Sequence, residues 1–336
     1  MPLMARRHDM NDKQRAPLDP SRLADRLPGA ARLRLPIIAA PMFLLSSPHL
    51  VVAECRAGLV GSFPALNART TAILDEWLAT IATAASATAH TRTPFAVNLV
   101  VHESNPRLEA DLAVCANHRV PIIITSLQPP ERVVARVHAY GGLVLHDVTT
   151  VRHARKAIQQ GVDGLIAVAA GAGGHAGTRS PFALVRELRA LTDGLLVLGG
   201  ALSTGGDVLA ARAAGADLAY MGTRFIATAE AEASREFKEM IVRASSDDIV
   251  YTPYFSGVSG NFLRESIKHA GLDPDRLGQA QGRSLEISKE SESRAWRDIW
   301  SAGHGVGVIT DIPTVGDLVD RLEREFAAAQ VSAAWR

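Results

Sequence analysis

A histidine lies in a run of small residues whose composition suits contact with a flat ligand. The run is GAGGHAG, Gly171–Gly177, and His175 is its only titratable side chain. Because the ordinary pKa of histidine is near neutrality, His175 could act as a general base or as a donor that stabilises charge. The letters also fit the dinucleotide fingerprint G-x-G-x-x-A, but Asp193, the nearest acidic candidate, precedes the next strand instead of following it. We therefore predict a mobile loop that lays its backbone and the imidazole against a flat ring.

Two further glycine-containing turns have the composition of a phosphate site. Gly199-Gly200 follows one apolar run and leads into a helical pattern, and Gly222-Thr223 follows the next apolar run. Glycine lets backbone N–H groups and the start of a helix approach an anion closely, and the Thr223 hydroxyl can add a donor. The alternative is that these glycines only form tight turns. Arg224, the next residue, is either a counter-charge for the anion or a solvated surface residue.

Three other positions at predicted strand ends carry polar or turn-forming side chains. His146 is a candidate for a supporting or substrate-contacting position, although a lone histidine at a strand end more often makes a structural hydrogen bond. The amide of Asn98 can donate to and accept from ring heteroatoms. Ala40-Pro41-Met42 ends the first strand, where proline stops the hydrogen-bond ladder. The side chains of Pro41 and Met42 form either an apolar floor under a ring or a cap on the core.

The elements that must position these residues alternate along the chain. From Pro36 onward, short apolar runs typical of parallel strands alternate with amphipathic helical patterns. The predicted strands are Pro36–Ala40, Gly58–Phe63, Phe95–Val100, Val120–Thr125, Gly142–His146, Gly164–Val168, Gly194–Leu198 and Leu218–Met221. The predicted helices are Thr71–Ala87, Arg107–Asn117, Pro130–Ala139, Val151–Gln160, Pro181–Leu191 and Thr204–Ala214. This order favours an α/β protein, a (β/α)₈ TIM barrel, over a doubly wound open sheet.

The remaining segments suggest additions to the barrel. We expect residues 1–35 to form a loosely packed N-terminal arm and residues 36–235 to form the barrel itself. The change of pattern after the eighth strand predicts a small helical insertion over residues 236–300 that could cover the barrel mouth. Residues 301–336 contain an amphipathic stretch, Pro313–Ala329, that we expect to pack back on the barrel.

Composition excludes several classes of partner. The formal net charge is +1, from 36 Lys and Arg against 35 Asp and Glu, so we expect no nucleic-acid partner. The apolar runs are too short for a bilayer and the N-terminal region lacks a secretory h-region, which predicts a cytoplasmic protein with no membrane contact. The histidines lack metal-ligand spacing, so we expect no metal. Cys55 and Cys115 are predicted to be buried free thiols, and the sequence leaves a homodimer open.

Six segments in the same order resemble the nitronate monooxygenase (2-nitropropane dioxygenase) family, whose members are FMN-dependent barrels. The resemblance extends from about Leu35 to Phe326. Its segments are Ala40-Pro41-Met42, Val97-Asn98-Leu99, Gly173–Gly177, Gly199-Gly200, Met221–Phe225 and Trp300–Gly307. It implies that His175 is the catalytic histidine and that the helical insertion forms the substrate lid. It also implies that FMN is bound by Ala40, Pro41, Met42, Asn98, Gly173, Gly174, Gly199, Gly200, Gly222 and Thr223.

The resemblance implies that FMN and O₂ oxidise a small nitronate or nitroalkane to a carbonyl compound and nitrite, with His175 as base or charge stabiliser. Three departures leave the substrate open. Phe43-Leu44-Leu45 replaces a common glycine, Gly171 replaces a common acidic residue, and Asp147 replaces a lysine of some relatives. One alternative is an NAD(P)H-dependent flavin reductase of quinones or enoyl thioesters. Another, of a different class, is a barrel that binds a phosphate ligand without catalysis.

Overall fold

Eight parallel strands form the central layer of the protein, described here by a computed structural model. The structure describes residues 20–86, 93–277 and 299–333. In chain order the strands are β1 (Ile37–Ala39), β2 (Gly61–Pro64), β3 (Phe95–Val101), β4 (Ile122–Leu127), β5 (Leu143–Val148), β6 (Gly164–Val168), β7 (Gly174–His175), β8 (Leu195–Gly199) and β9 (Leu218–Met221). All of them except β7 belong to the central layer. The eight predicted strands are confirmed, with small shifts at their ends.

Hydrogen bonds between neighbouring strands close this sheet into a barrel. The strand order is β1-β9-β8-β6-β5-β4-β3-β2, and adjacent strands are parallel. The outermost two strands meet at a bridge between Ile38 and Val60. There the Ala39 N–H donates to Val60 O (2.9 Å) and the Val60 N–H donates to Ile37 O (3.1 Å). The (β/α)₈ prediction is therefore confirmed, and the open-sheet alternative is wrong.

Helices α2 to α8, which connect the barrel strands, cover the outside of the barrel. The helices of the described residues are α1 (Pro20–Arg26), α2 (Pro48–Arg56), α3 (Thr71–Ser86), α4 (Leu108–Asn117), α5 (Glu131–His138), α6 (Val151–Gln159), α7 (Pro181–Arg189), α8 (Gly205–Ala214), α9 (Thr223–Ile226), α10 (Arg235–Arg243), α11 (Arg264–His269) and α12 (Val315–Ala333). None of the helices that the structure describes is long and apolar enough to cross a membrane. The prediction omits α2, although the Ser47 cap and Pro48 in its first turn are helix-start signals.

Two apolar layers stabilise the barrel. One fills its interior and includes Ile38 and Leu145, which point inward from their strands. The other lies between the strands and the helices and includes Val208 of α8. Burial on both faces explains why the strand sequences show no polar alternation. Cys55 and Cys115 are buried free thiols as predicted, and burial raises their pKa to about 11 and about 12.

Part of the N-terminal arm packs against the barrel at the N-terminal ends of the strands. Leu23 and Leu27 join the interior cluster, and Arg26 pairs with the buried Asp217 at 2.6 Å. Because Leu23 and Leu27 are four residues apart, they face the same side of the chain. The described part of the arm is thus packed, whereas a loose arm is predicted. Residues 1–19 lie outside the described residues.

The described part of residues 236–300 is mixed, whereas a helical insertion is predicted. It contains two antiparallel strands, β10 (Ile249–Thr252) and β11 (Gly260–Leu263), besides α11 and most of α10. The β-branched residues of β10 favour a strand over a helix. β11 also pairs with β7, which gives a three-stranded sheet. Residues 278–298 lie outside the described residues.

The C-terminal helix α12 packs closely on α8. Leu318 and Leu322 are buried in the cluster between strands and helices. A Cβ at Gly205 would lie only 2.1 Å from Leu322 O, so glycine is required there for the two helices to approach. This contact holds the last described segment of the chain against the loop that follows β8.

Candidate active site

A cavity of about 1230 Å³ lies at the C-terminal ends of the barrel strands. All twelve residues predicted for the site line it: Ala40, Pro41, Met42, Asn98, His146, Gly173, Gly174, His175, Gly199, Gly200, Gly222 and Thr223. In barrels of this type the loops that converge at this end carry the active site. Within the described ranges no group of three or more His, Cys, Asp or Glu side chains could hold a metal ion. The cavity is therefore the candidate active site.

Hydrogen bonds hold the segment that carries His175 against strands β10 and β11 of the insertion, so the prediction of a mobile loop is wrong. β7 pairs with β11 in an antiparallel register. The Asn261 amide donates to Ala172 O (2.6 Å), and the Tyr251 hydroxyl donates to Ala176 O (3.1 Å). The glycine-rich composition suggests a flexible backbone. Here that backbone is hydrogen-bonded to side chains that lie more than 70 residues later in the chain. The insertion therefore fixes the backbone on both sides of His175.

The protonation state of His175 follows from its hydrogen-bond partners and its burial. Nε2 lies 3.0 Å from Ser256 Oγ, and that hydroxyl donates its own proton to Val258 O (3.0 Å). Ser256 must then accept from Nε2–H, which puts the lone pair of the neutral ring on Nδ1. Burial lowers the pKa of His175 to about 4. The imidazole is neutral at pH 7 and suits a base better than a cation.

The loop after β8 differs in one respect from the predicted phosphate site. Gly200 lines the cavity at φ 140°, and a Cβ there would lie 2.7 Å from a backbone carbonyl, so only glycine fits. The N–H groups of Ser203 and Gly205, at the start of α8, donate instead to the carboxylates of Asp207 and Glu325. The first turn of α8 is thus capped within the protein. An anion must use the loop itself and not the start of this helix.

Two hydroxyl groups line the cavity near this loop. Ser203 Oγ is buried and has no hydrogen-bond partner. Thr223 Oγ1 accepts from the Gly303 N–H (2.9 Å), which leaves its own proton available to donate. Ser203 and the stretch Ser301–Gly305, part of which lines the cavity, are absent from the predicted site residues. The resemblance of Trp300–Gly307 to the family is the signal that could identify the stretch Ser301–Gly305.

Arg224 takes neither of the two roles left open for it. Its side chain is 3% exposed and pairs with Asp311 at 3.1 Å. Asp311 also pairs with Arg321 of α12. Arg224 is not among the cavity residues. It therefore links the end of the barrel to the C-terminal segment and provides no counter-charge in the site.

His146 fits the structural alternative. Nδ1 lies 2.8 Å from Thr125 Oγ1, whose proton goes to Leu145 O (3.2 Å). Burial, followed by the charge of His153, lowers the pKa of His146 to about 4. The side chain lines the cavity as a neutral group that is already hydrogen-bonded to the neighbouring strand.

The loop after β1 contains a strained residue at the rim of the cavity. Leu44 has φ 63°, in the left-handed region, and its N–H donates to Asn67 Oδ1 (2.9 Å). Leu44 and the neighbouring Phe43 are exposed. A side chain in this conformation clashes with its own backbone, which glycine avoids. Leucine at position 44 therefore has a conformational cost in this chain.

Replacement of Leu44 by glycine is expected to raise the free energy of unfolding by about 0.5–1 kcal/mol. The left-handed conformation costs a residue with a Cβ about 1–2 kcal/mol, and the greater freedom of glycine in the unfolded chain offsets part of the gain. Chemical denaturation measures the change. Leu45→Gly is the matched control, because Leu45 packs on the core without a positive φ and its loss should be destabilising. Destabilisation of both variants to a similar degree would contradict the strain at Leu44.

Comparison with known proteins identifies the family. The sequence profile of the family described as nitronate monooxygenase matches residues 25–325. The chain belongs to the nitronate monooxygenase family. The matched range includes the whole barrel and the described part of the insertion, so the resemblance drawn from six short segments is confirmed.

Relatives of this nitronate monooxygenase family member carry more than one reaction in their names. A nitronate monooxygenase of Paraburkholderia phytofirmans is 25% identical over 339 residues, which cover 87% of this chain and 92% of that protein. A Rhodococcus jostii protein, (3aS,4S,5R,7aS)-5-hydroxy-7a-methyl-1-oxo-octahydro-1H-indene-4-carboxyl-CoA dehydrogenase, is 25% identical over 332 residues, which cover 85% of this chain and 90% of that protein. Family membership therefore identifies an oxidoreductase and leaves its substrate open.

Solved structures agree on the fold of this nitronate monooxygenase family member. A nitroalkane oxidase of Streptomyces ansochromogenes superposes with a TM-score of 0.76 at 24% identity, over 93% of this chain and 100% of that one. FabK of Thermotoga maritima superposes with a TM-score of 0.74 at 25% identity, over 93% of this chain and 97% of that one. The β/α barrel with its additions is thus shared across nearly the full length of both.

Proposed function

We propose that the protein oxidises nitronates or nitroalkanes with bound FMN and O₂, releasing a carbonyl compound and nitrite. The observation that carries this proposal is His175: a neutral imidazole, held by the insertion, lines a cavity that also contains the two glycine-containing turns. A neutral nitroalkane must lose a proton from carbon before its electrons can be transferred. A base with a fixed orientation in a buried site suits that step.

FMN is the cofactor that the family implies, and the residues of the cavity fit it. The orphaned hydroxyl of Ser203 is a buried donor in need of an acceptor, which a phosphate oxygen would supply. A Cβ at Gly174 would meet no atom within 4 Å, so this glycine keeps space free in the cavity. Gly200, Ser203, Gly222 and Thr223 would hold the phosphate, and Gly174 would face the ring. When bound, FMN supplies the electron-accepting ring that the side chains lack.

His175 has a base role in this mechanism. The neutral imidazole accepts the proton from the carbon of a neutral nitroalkane, while the hydrogen bond between Nε2 and Ser256 orients the ring. Bound FMN would supply the electron acceptor for the deprotonated substrate, and O₂ would be the final oxidant. Because burial lowers the pKa of His175 to about 4, the ring is unprotonated at pH 7 and can accept a proton.

Anaerobic mixing of the purified protein with a nitronate tests the proposal. A yellow protein whose absorbance near the flavin maximum is bleached by the nitronate, and recovers with O₂ while nitrite appears, is the expected result. A yellow protein that the nitronate does not bleach contradicts nitronate oxidation. A colourless protein that does not take up added FMN supports the binding-barrel alternative.

A second candidate function is supported by basic side chains of α6. Arg152, Arg155 and Lys156 are exposed, line the same cavity and lie within one turn of each other. α6 contains no acidic residue, and burial together with the charges of Arg152 and Lys156 lowers the pKa of His153. Uncompensated positive charge beside a cavity attracts phosphate groups. An NAD(P)H-dependent reduction of a quinone or an enoyl thioester would bring such groups to the site.

The two candidates differ in which reagent reduces the protein. Rapid anaerobic bleaching by NADPH or NADH, without bleaching by a nitronate, would favour the reductase. In that case Lys156→Ala should weaken NADPH binding, whereas Lys268→Ala, an exposed lysine of α11 outside the cavity, should leave it unchanged. Bleaching by the nitronate and not by either dinucleotide would favour the oxidation of nitronates.

A further inference from the structure

The floor of the cavity contains a polar chain above the apolar interior of the barrel. Asn98 in the middle of β3, and Ser126 and Asp147 near the C-terminal ends of β4 and β5, lie on strands that are neighbours in the barrel, and all three line the cavity. The Asn98 amide donates to Ser126 Oγ (2.8 Å), and Ser126 Oγ donates to Asp147 Oδ2 (2.7 Å). Both hydrogen bonds run in one direction and end on the carboxylate of Asp147.

The second oxygen of this carboxylate is uncompensated. Asp147 Oδ1 is buried and has no hydrogen-bond partner, and Asp147 forms no ion pair with any basic side chain in the described ranges. Burial raises the pKa of Asp147 to about 6, against the opposing effect of the Ser126 hydrogen bond. Across the barrel, burial and the charge of Asp147 raise the pKa of Tyr220 well above its usual value. Because Ser126 donates to Oδ2 and no basic side chain of the described residues pairs with Asp147, an ionised Asp147 places an unpaired negative charge in the floor of the cavity.

We propose that Asp147 sets the reduction potential of the flavin by holding an uncompensated carboxylate in the floor of its cavity. This inference rests on the proposed FMN site and does not depend on the nitronate as substrate. Two-electron reduction adds negative charge to the ring, and a nearby carboxylate in a poorly polarisable interior opposes that charge. The carboxylate therefore lowers the reduction potential. A lower potential favours the transfer of the two electrons from the reduced cofactor to O₂.

A redox titration of the FMN-loaded protein tests this inference. Wild type and Asp147→Asn are titrated at pH 7 with a chemical reductant and a reference dye, so no nitronate is needed. We expect the variant to have a more positive midpoint, with the ratio of reduced to oxidised flavin at a given potential raised at least about tenfold, or about 30 mV for two electrons. Sulfite, which adds to oxidised flavin and brings negative charge, should bind the variant more tightly. The matched control is Glu187→Gln, which removes an exposed carboxylate of α7 outside the cavity.

The outcomes separate this inference from the proposed function. Equal midpoints and equal sulfite affinities in wild type, Asp147→Asn and Glu187→Gln would overturn the role of Asp147. If Asp147→Asn does not retain FMN, Ser126→Ala replaces it in the test. Loss of the hydrogen bond raises the pKa of the carboxyl, reduces its charge at pH 7 and should move the midpoint in the same direction, and an unchanged midpoint there overturns the inference. A shifted midpoint in a protein that does not oxidise nitronates would contradict only the proposed function.

Discussion

Asparagine in place of His175 is expected to lower kcat/KM for a neutral nitroalkane by about 10²–10⁴-fold while FMN stays bound. Asparagine keeps a polar side chain beside Ser256 but has no basic nitrogen, so proton removal from carbon loses its acceptor. A preformed nitronate has already lost this proton, and its turnover should fall much less. Steady-state kinetics with both substrates, together with the flavin absorbance of the purified variant, measures the difference.

The pH dependence of the wild type provides an independent check on the same residue. Because burial lowers the pKa of His175 to about 4, the imidazole is already deprotonated above about pH 5. In the wild type we expect kcat/KM for a nitroalkane to rise with pH around pH 4. This rise should be absent in His175→Asn. Ser256→Ala keeps the imidazole but removes the hydrogen bond that orients it, so kcat/KM should fall by less than in His175→Asn. Turnover of the neutral substrate that is equal in wild type and His175→Asn would remove His175 from the mechanism.

The second large effect is expected from Gly222→Leu, which should weaken FMN binding by about 100-fold or more. A Cβ at Gly222 would make only ordinary contacts, 3.5 Å from Ala40 and 3.9 Å from Met42, so the fold should tolerate it. The rest of a leucine would enter the cavity that the phosphate loop lines, and a hundredfold loss corresponds to about 2.7 kcal/mol. Titration of the FMN-free protein with FMN, followed by fluorescence quenching, gives the dissociation constant.

Gly206→Leu is the matched control for this prediction. Gly206 is a glycine of the neighbouring loop–helix junction, its Cβ would meet only Thr204 Oγ1 at 3.6 Å, and it does not line the cavity. The same substitution there should leave the FMN dissociation constant within about twofold of wild type. Equal FMN affinity in Gly222→Leu and wild type would mean that the turn after β9 does not hold the cofactor.

The barrel and the content of its site could be predicted because both depend on local chemistry. Strands buried on both faces appear in the sequence as apolar runs, and β6 and β9 match their predicted bounds. Once eight such strands close into a barrel, their C-terminal ends must meet. His175, Asn98 and the Gly199-Gly200 turn therefore converge from distant parts of the chain without any further information.

The features that could not be predicted depend on contacts between distant segments. β7 has only two residues, and its partner β11 lies more than 80 residues later in the chain. The carboxylate that caps Gly205 belongs to Glu325, 120 residues away. The low pKa of His175 arises from burial, which residue type alone does not reveal. These long-range contacts convert a glycine-rich loop into a rigid support and close the start of α8 to the anion.

The pairing of β11 with β7 has a consequence for how this protein can be re-engineered. The insertion and the segment of His175 share one ladder of backbone hydrogen bonds, so a one-residue slip in β11 would turn its side chains to the opposite face and displace the partners of His175. A chimera that takes the insertion from another family member must therefore also take the stretch from 171 to 177. Within this chain, new substrates are accessible through side-chain substitutions that keep the hydrogen bonds between β7 and β11 in register. They are not accessible through changes in the length of β11.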